Sequence, residues 1–299
     1  MADIKLFNIS GDVKEYQGGT VTLEKELQTV IENNMETFFG VTFLASEYRT
    51  TDGGRMDSIG IDENHCPVIF EYKRSLNENV INQGLFYLNW LLDHKDSFKV
   101  LVIERLGLKA SDLIDWTMPR VLCIAGDFTK FDESAIKQMN RNISLIRYKK
   151  FGSDLLMFEQ LNENIAAAIP DDDSSASGKT KTTTKSFAEH IKDAKPEVVR
   201  LYEDIRNYVL SLGDDITENQ LKLYVAFRKI KNIVCAEIYS NKVLLHARLD
   251  VGSVEYEDGF TRDTSKIGHY ATGDVEITIH NQADFEKAKP LIDRAYNEN

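Results

Sequence analysis

Three side chains in one short stretch have the types and spacing to do chemistry. They are Asp57, Glu71 and Lys73, set in Gly53-Gly54-Arg55-Met56-Asp57 and Phe70-Glu71-Tyr72-Lys73. Residues 53–74 read as two short apolar strands folded over a turn of Asp62, Glu63, Asn64 and His65. Strand side chains alternate, so Glu71 and Lys73 share one face while Val68, Phe70 and Tyr72 take the other. For a turn centred on Asn64, antiparallel partners have numbers summing to 128, which pairs Ile61 with Pro67, Ile59 with Ile69, and Asp57 with Glu71. Directly opposed residues hold their Cβ atoms about 4.5–5.5 Å apart, and like charges placed there repel. A hard divalent cation that takes oxygen ligands is the usual reason to tolerate such a pair, with the lysine beside it to position water or a phosphate oxygen. The plainer reading makes Glu71 and Lys73 guards of a sheet edge and Asp57 the opening of a turn. Two features favour the chemistry. Val68-Ile69-Phe70 leads into Glu71 like a buried strand with its charges at one end, and Gly53-Gly54 lets the backbone approach a ligand closely.

The elements that must position these residues follow from periodicity. After an extended arm over 1–20, apolar residues at 23, 27, 30, 31, 35 and 38 predict an amphipathic helix from Thr22, ended by Gly40. A strand is expected over 42–48, then the hairpin, then a helix over 79–93 in which Gln83, Tyr87 and Trp90 form one stripe that reads first as packing. Further strands are expected at 98–103, 120–125, 144–148 and 155–161, with a helix over 133–141. Strands alternating with helices around an apolar sheet indicate an α/β core.

This order resembles the PD-(D/E)XK nuclease superfamily, a restriction-endonuclease-like mixed-sheet core flanked by helices, and its NucS-like branch most of all. The likeness spans residues 20–125, with Gly54-Arg55-Met56-Asp57, Phe70-Glu71-Tyr72-Lys73 and a helix carrying Gln83 and Tyr87. Met56 departs from the name-giving motif, where a proline would stand. The resemblance implies that Asp57 and Glu71 hold Mg²⁺ or Mn²⁺ and that Lys73 assists the attacking water. It further implies that Glu24 on the first helix completes the metal set and that Gln83 joins the site. Glu26 and Glu32 lie on neighbouring turns and compete with Glu24 for that role. The activity implied is metal-dependent endonucleolytic hydrolysis of DNA, whether single-stranded, mismatched or branched. The alternative is an inactive nuclease-fold module that binds nucleic acid or protein.

Composition bounds the rest. A chain of 299 residues suggests two domains. The expected division is a nuclease-like domain over 1–169, a flexible linker over 170–186 that lacks sizeable apolar side chains, and a smaller α+β domain over 187–299. A formal charge of −12 argues against wholesale coating of nucleic acid, but leaves room for an enzyme with a local basic groove. The scattered cysteines, Cys66, Cys123 and Cys235, read as reduced core thiols of a cytoplasmic protein, and no apolar stretch is long enough to span a membrane. In the last domain a helix is expected over 196–212, strands over 220–228, 232–239, 242–249 and 274–279, with a tight hairpin at Ser240-Asn241, and a closing helix over 283–296. That domain resembles an uncharacterised C-terminal domain of bacterial nuclease-like proteins. Its expected ligand is a protein partner or nucleic acid, the latter through Arg228, Lys229 and Lys231 with Tyr224 and Phe227, although a solvated strand end reads better there. His269 reads as a turn residue, and a homodimer is a further expectation.

Overall fold

The computed structural model describes residues 4–74, 79–164, 185–267 and 271–299. The chain divides into two units, Met1–Ile114 with Pro119–Ala167, and Asp115–Met118 with Ala168–Asn299.

The first unit begins with a two-stranded piece, β1 (Leu6–Asn8) and β2 (Lys14–Tyr16), and a short β3 (Gly18–Gly19). The expected first helix forms as two, α1 (Glu24–Glu32) and α2 (Met35–Phe39), because Asn33-Asn34 interrupts the run. Gly40, at φ 63°, ends it in the left-handed conformation that glycine adopts without a Cβ penalty. Then come β4 (Val41–Arg49), β5 (Arg55–Asp62), β6 (Pro67–Lys73), α3 (Val80–Asp93), α4 (Lys95–Leu106), α5 (Leu108–Ser111), β7 (Arg120–Ala125), α6 (Lys130–Ile136), β8 (Asn142–Phe151) and β9 (Leu155–Asn164). The sheet runs β8-β7-β6-β5-β4, with β3 and β9 both pairing β8. β6, β7 and β8 are parallel neighbours and the hairpin pairs are antiparallel, so the sheet is mixed.

Two expectations are corrected here. Residues 98–103 lie inside α4, where Phe98, Leu101 and Val102 bury at helical spacing while Val100 and Ile103 stay exposed. A short apolar run carries too little periodicity to separate a strand from a helix. The helix expected over 133–141 starts earlier, because Thr129 and Asp132 form a capping box.

The two faces of the sheet have different covers. Phe70, on the even-numbered face of β6, packs its ring 5.6 Å from Phe39 of α2. On the other face Cys123, in register with Glu71, reaches Val80 of α3, and a Cβ on Gly84 would strike Val121. Glu71 and Lys73 therefore sit on the α3 side.

The second unit holds α7 (Phe187–Asp193), α8 (Pro196–Ser211), β10 (Thr217–Gln220), β11 (Val225–Arg228), β12 (Asn232–Ile238), β13 (Val243–Ala247), β14 (Thr261–Asp263), β15 (Val275–Ile279) and α9 (Gln282–Glu298). Its antiparallel sheet has the order β10-β11-β12-β13-β15-β14. Alternate residues of the central strands, such as Val234, Ala236, Leu245 and Ile277, bury against Leu201, Ile205, Phe285 and Ile292 of the helices. The hairpin at 240–241 closes with Tyr239 N–H donating to Lys242 O. Ser186, the last residue of the expected linker, caps α7, and residues 170–184 and His269 lie outside the described residues.

Of the aromatic-basic group near 224–231, Lys229 and Lys231 are half-buried. Tyr224, Phe227 and Arg228 are buried, and the Arg228 guanidinium donates to Ile230 O. All three cysteines are buried thiols. Among the described residues no helix is long and apolar enough to cross a membrane.

Candidate active site

The hairpin forms in the expected register, with Ile61 opposite Pro67 and Ile59 opposite Ile69. Its tip is held by Asp62, whose Oδ1 accepts from Asn64 N (2.9 Å) and Cys66 N (3.0 Å). The other oxygen lies 3.3 Å from Arg120 Nε in an ion pair buried on both sides, which ties the turn to β7. Sequence reading took Asp62 for a turn residue and missed this clamp, because its cation stands far along the chain.

The backbone ladder between β5 and β6 ends at Ser58 opposite Phe70, one pair short of the acids. From there side chains take over. Asp57 N donates to Glu71 Oε1 (3.3 Å), and Tyr72 N donates to Asp57 Oδ2 (3.0 Å). Each acid is thus held by the strand that carries the other, which brings Asp57 and Glu71 into direct contact.

Burial sets the charge of this pair. Glu71 is only 2% exposed, and desolvation, then the neighbouring Asp57, push its carboxyl up to about 9. Asp57 is also raised, first by burial, against which the Tyr72 N–H and the Lys73 ammonium pull it down. With no cation at hand the pair keeps a proton at neutral pH. Lys73 Nζ stands 3.7 Å from Glu24 Oε1, and the other Glu24 oxygen accepts from Arg74 N (3.1 Å). Of the three first-helix glutamates, Glu24 is the one whose charge acts on Asp57. Glu26 pairs with Lys150, and Glu32 accepts from Ser58 Oγ (2.6 Å) on the opposite face of the sheet.

Gln83 lies on α3, the helix that packs against β6 and β7. It is exposed on α3 and lines a shallow cavity of about 270 Å³ with Asn79, Asn82, Phe86 and Tyr87. The two acids and the lysine are not among its walls. Tyr87 is the link between the places, since its hydroxyl accepts from Arg55 N (3.2 Å). Of the Gly53-Gly54 pair, Gly54 is approached by the protein itself, for a Cβ there would lie 2.7 Å from Tyr87 Cε1 and 2.7 Å from Thr50 Oγ1, while Gly53 meets nothing within 4 Å.

Among the described residues no three Asp, Glu, His or Cys side chains gather into a ready metal cage. The two carboxylates suit a hard cation in kind, since Mg²⁺ is commonly bound through one or two carboxylates together with waters and substrate phosphates. A cation there would replace the proton that burial, and then the neighbouring Asp57, hold on Glu71.

Comparison with known proteins places two likenesses beside this geometry. Residues 187–299 match the family model "Domain of unknown function (DUF5655)". A protein of Haemophilus influenzae described as "Uncharacterized protein" is 29% identical over 293 residues, covering 95% of this chain and 96% of that protein. No solved structure matches.

Proposed function

We propose that the first unit is a restriction-endonuclease-like, metal-dependent endonuclease that hydrolyses phosphodiester bonds of DNA. The observation that carries this reading is the Asp57–Glu71 contact: two acids held together at the end of a strand pair, buried enough that Glu71 retains its proton near neutrality. Such a pair costs stability and is understandable as a cation site. Asp57 and Glu71 would hold Mg²⁺ or Mn²⁺, and the bound cation supplies electrophilic stabilisation of the phosphate and acidifies water. Lys73 would orient the attacking water and offset charge developing on the phosphoryl oxygens. Glu24, which now pairs with Lys73 and accepts from the Arg74 N–H, would be the third acid of the site.

One observation favours a second reading, a nuclease-fold module that binds without turnover. Glu24 is engaged by Lys73 and the Arg74 N–H, leaving two acids together where a working site would gather three. An assay of purified protein on single-stranded, duplex, mismatched and branched DNA, with Mg²⁺, Mn²⁺ or chelator, separates the two. Cleavage that needs the cation and disappears in Asp57→Asn supports the enzyme. DNA binding without cleavage under every condition supports the module.

A further inference from the structure

The acid pair has a support that sits on neither of its strands. The β5–β6 ladder stops at Ser58, and the β4–β5 register has no pair at Asp57, between Ser46–Ser58 and Tyr48–Met56. The Asp57 N–H goes to Glu71, and the C=O accepts from the side-chain amide of Gln28, on α1, at 2.8 Å. Gln28 is 6% exposed, and its Nε2 also reaches Glu32 Oε1 (2.8 Å) and Ser46 Oγ (3.1 Å). Its Oε1 accepts from Lys25 Nζ (3.2 Å), which fixes the amide with its N–H groups toward the hairpin. One buried side chain therefore ties α1 to β4 and β5 at the residue that carries the catalytic-type acid.

We propose that Gln28 is the positioning residue of the acid pair: its amide anchors the Asp57 peptide to α1 and thereby sets where the Asp57 carboxylate stands against Glu71. Its value for catalysis rests on the nuclease reading; its mechanical role does not. The Cα of Asp57 stands between two held peptide groups, the preceding one through its N–H by Glu71 and the following one through its C=O by Gln28. If the second hold is lost, the peptide can rotate, and the Tyr72 N–H to Asp57 Oδ2 bond loosens with it. Outer partners that orient metal ligands typically affect metal affinity by about 10–100-fold when removed.

The test uses the full chain and two readouts. Gln28→Met keeps the length and bulk of the side chain and removes its donors; Gln28→Asn keeps the amide and loses its reach. Ser46→Ala removes a different Gln28 partner and leaves the Asp57 bond. In chelator, amide hydrogen exchange at Asp57 and Tyr72 should quicken about tenfold in both Gln28 variants and stay at the wild-type rate in Ser46→Ala. Calorimetry with Mn²⁺ should show affinity weakened about tenfold or more in the Gln28 variants alone. Unchanged exchange at both amides in a folded Gln28 variant overturns the proposal, as does an equal rise in Ser46→Ala. If exchange rises as expected but the wild type takes up no Mn²⁺, the brace stands and the nuclease reading falls.

Discussion

Replacing Glu71 by Gln should change how stability depends on pH, and the sign follows from the direction of its shift. In the unfolded chain this carboxyl releases its proton near the ordinary value of 4.5, whereas in the folded protein burial and Asp57 hold the proton up to about 9. Between those values the folded state binds more protons than the unfolded one, so stability falls as pH rises. The contribution is fully present below the unfolded value and is lost as pH climbs through the folded one. At about 1.36 kcal/mol per unit, a shift of this size corresponds to on the order of 6 kcal/mol across the window, a large share of the roughly 5–15 kcal/mol that a domain has in total. Urea unfolding in chelator, from about pH 5.5 to about pH 8.5, should show the wild type losing roughly 1 kcal/mol per unit while Glu71→Gln loses far less. Added Mn²⁺ should rescue the wild type more at the alkaline end, where the cation competes with fewer protons. Parallel wild-type and variant profiles across that range would refute the claim that Glu71 is held protonated by its surroundings.

Two other substitutions separate chemistry from architecture. Lys73→Ala should lower DNA cleavage by about 100-fold or more while Mn²⁺ affinity, followed by calorimetry, stays within a few-fold, because in the proposed mechanism the ammonium acts on water and phosphate and not on the cation. Loss of Mn²⁺ binding together with unfolding would make Lys73 structural instead. Asp62→Ala should cost about 3–5 kcal/mol in urea unfolding, with no dependence on added cation, since it strips the buried Arg120 guanidinium of its carboxylate. A loss below about 1 kcal/mol would show that the clamp at the hairpin tip is dispensable.

The hairpin was legible because two local signals agreed. Period-two alternation and a polar turn together leave a single register, and that register brings Asp57 to Glu71. The first-helix glutamate was less legible. Glu24, Glu26 and Glu32 all lie on exposed or half-buried turns of one helix, and what distinguishes them is contact with Lys73, Lys150 and Ser58, residues far along the chain. The strand expected at 98–103 failed for the opposite reason. Val100 and Ile103 suit a strand by type, yet Phe98, Leu101 and Val102 already satisfy one face of a helix, and exposed Val100 and Ile103 then tell nothing about period. Gln28 escaped notice altogether, because apolar patterning is blind to a polar side chain that buries in order to make hydrogen bonds.

The place where the ladder ends is itself part of the argument for a site. Because Asp62 N donates to Cys66 O, the even-numbered pairs of this ladder exchange the backbone bonds, and a regular continuation would set Asp57 opposite Glu71 as a non-bonded pair with both side chains projecting freely. Here the acids enter the bonding themselves. The Asp57 N–H is taken by a carboxyl oxygen, the Asp57 C=O by an amide from another element, and the Tyr72 N–H by the Asp57 carboxylate. These bonds satisfy the backbone groups of a distorted strand end, so they demand no water there. They also leave the two carboxyls with little freedom to separate and relieve their repulsion. A structural role alone would be met by an amide or hydroxyl at either position without that cost. What a second carboxyl adds at such a spot is negative charge, and charge is what a cation needs.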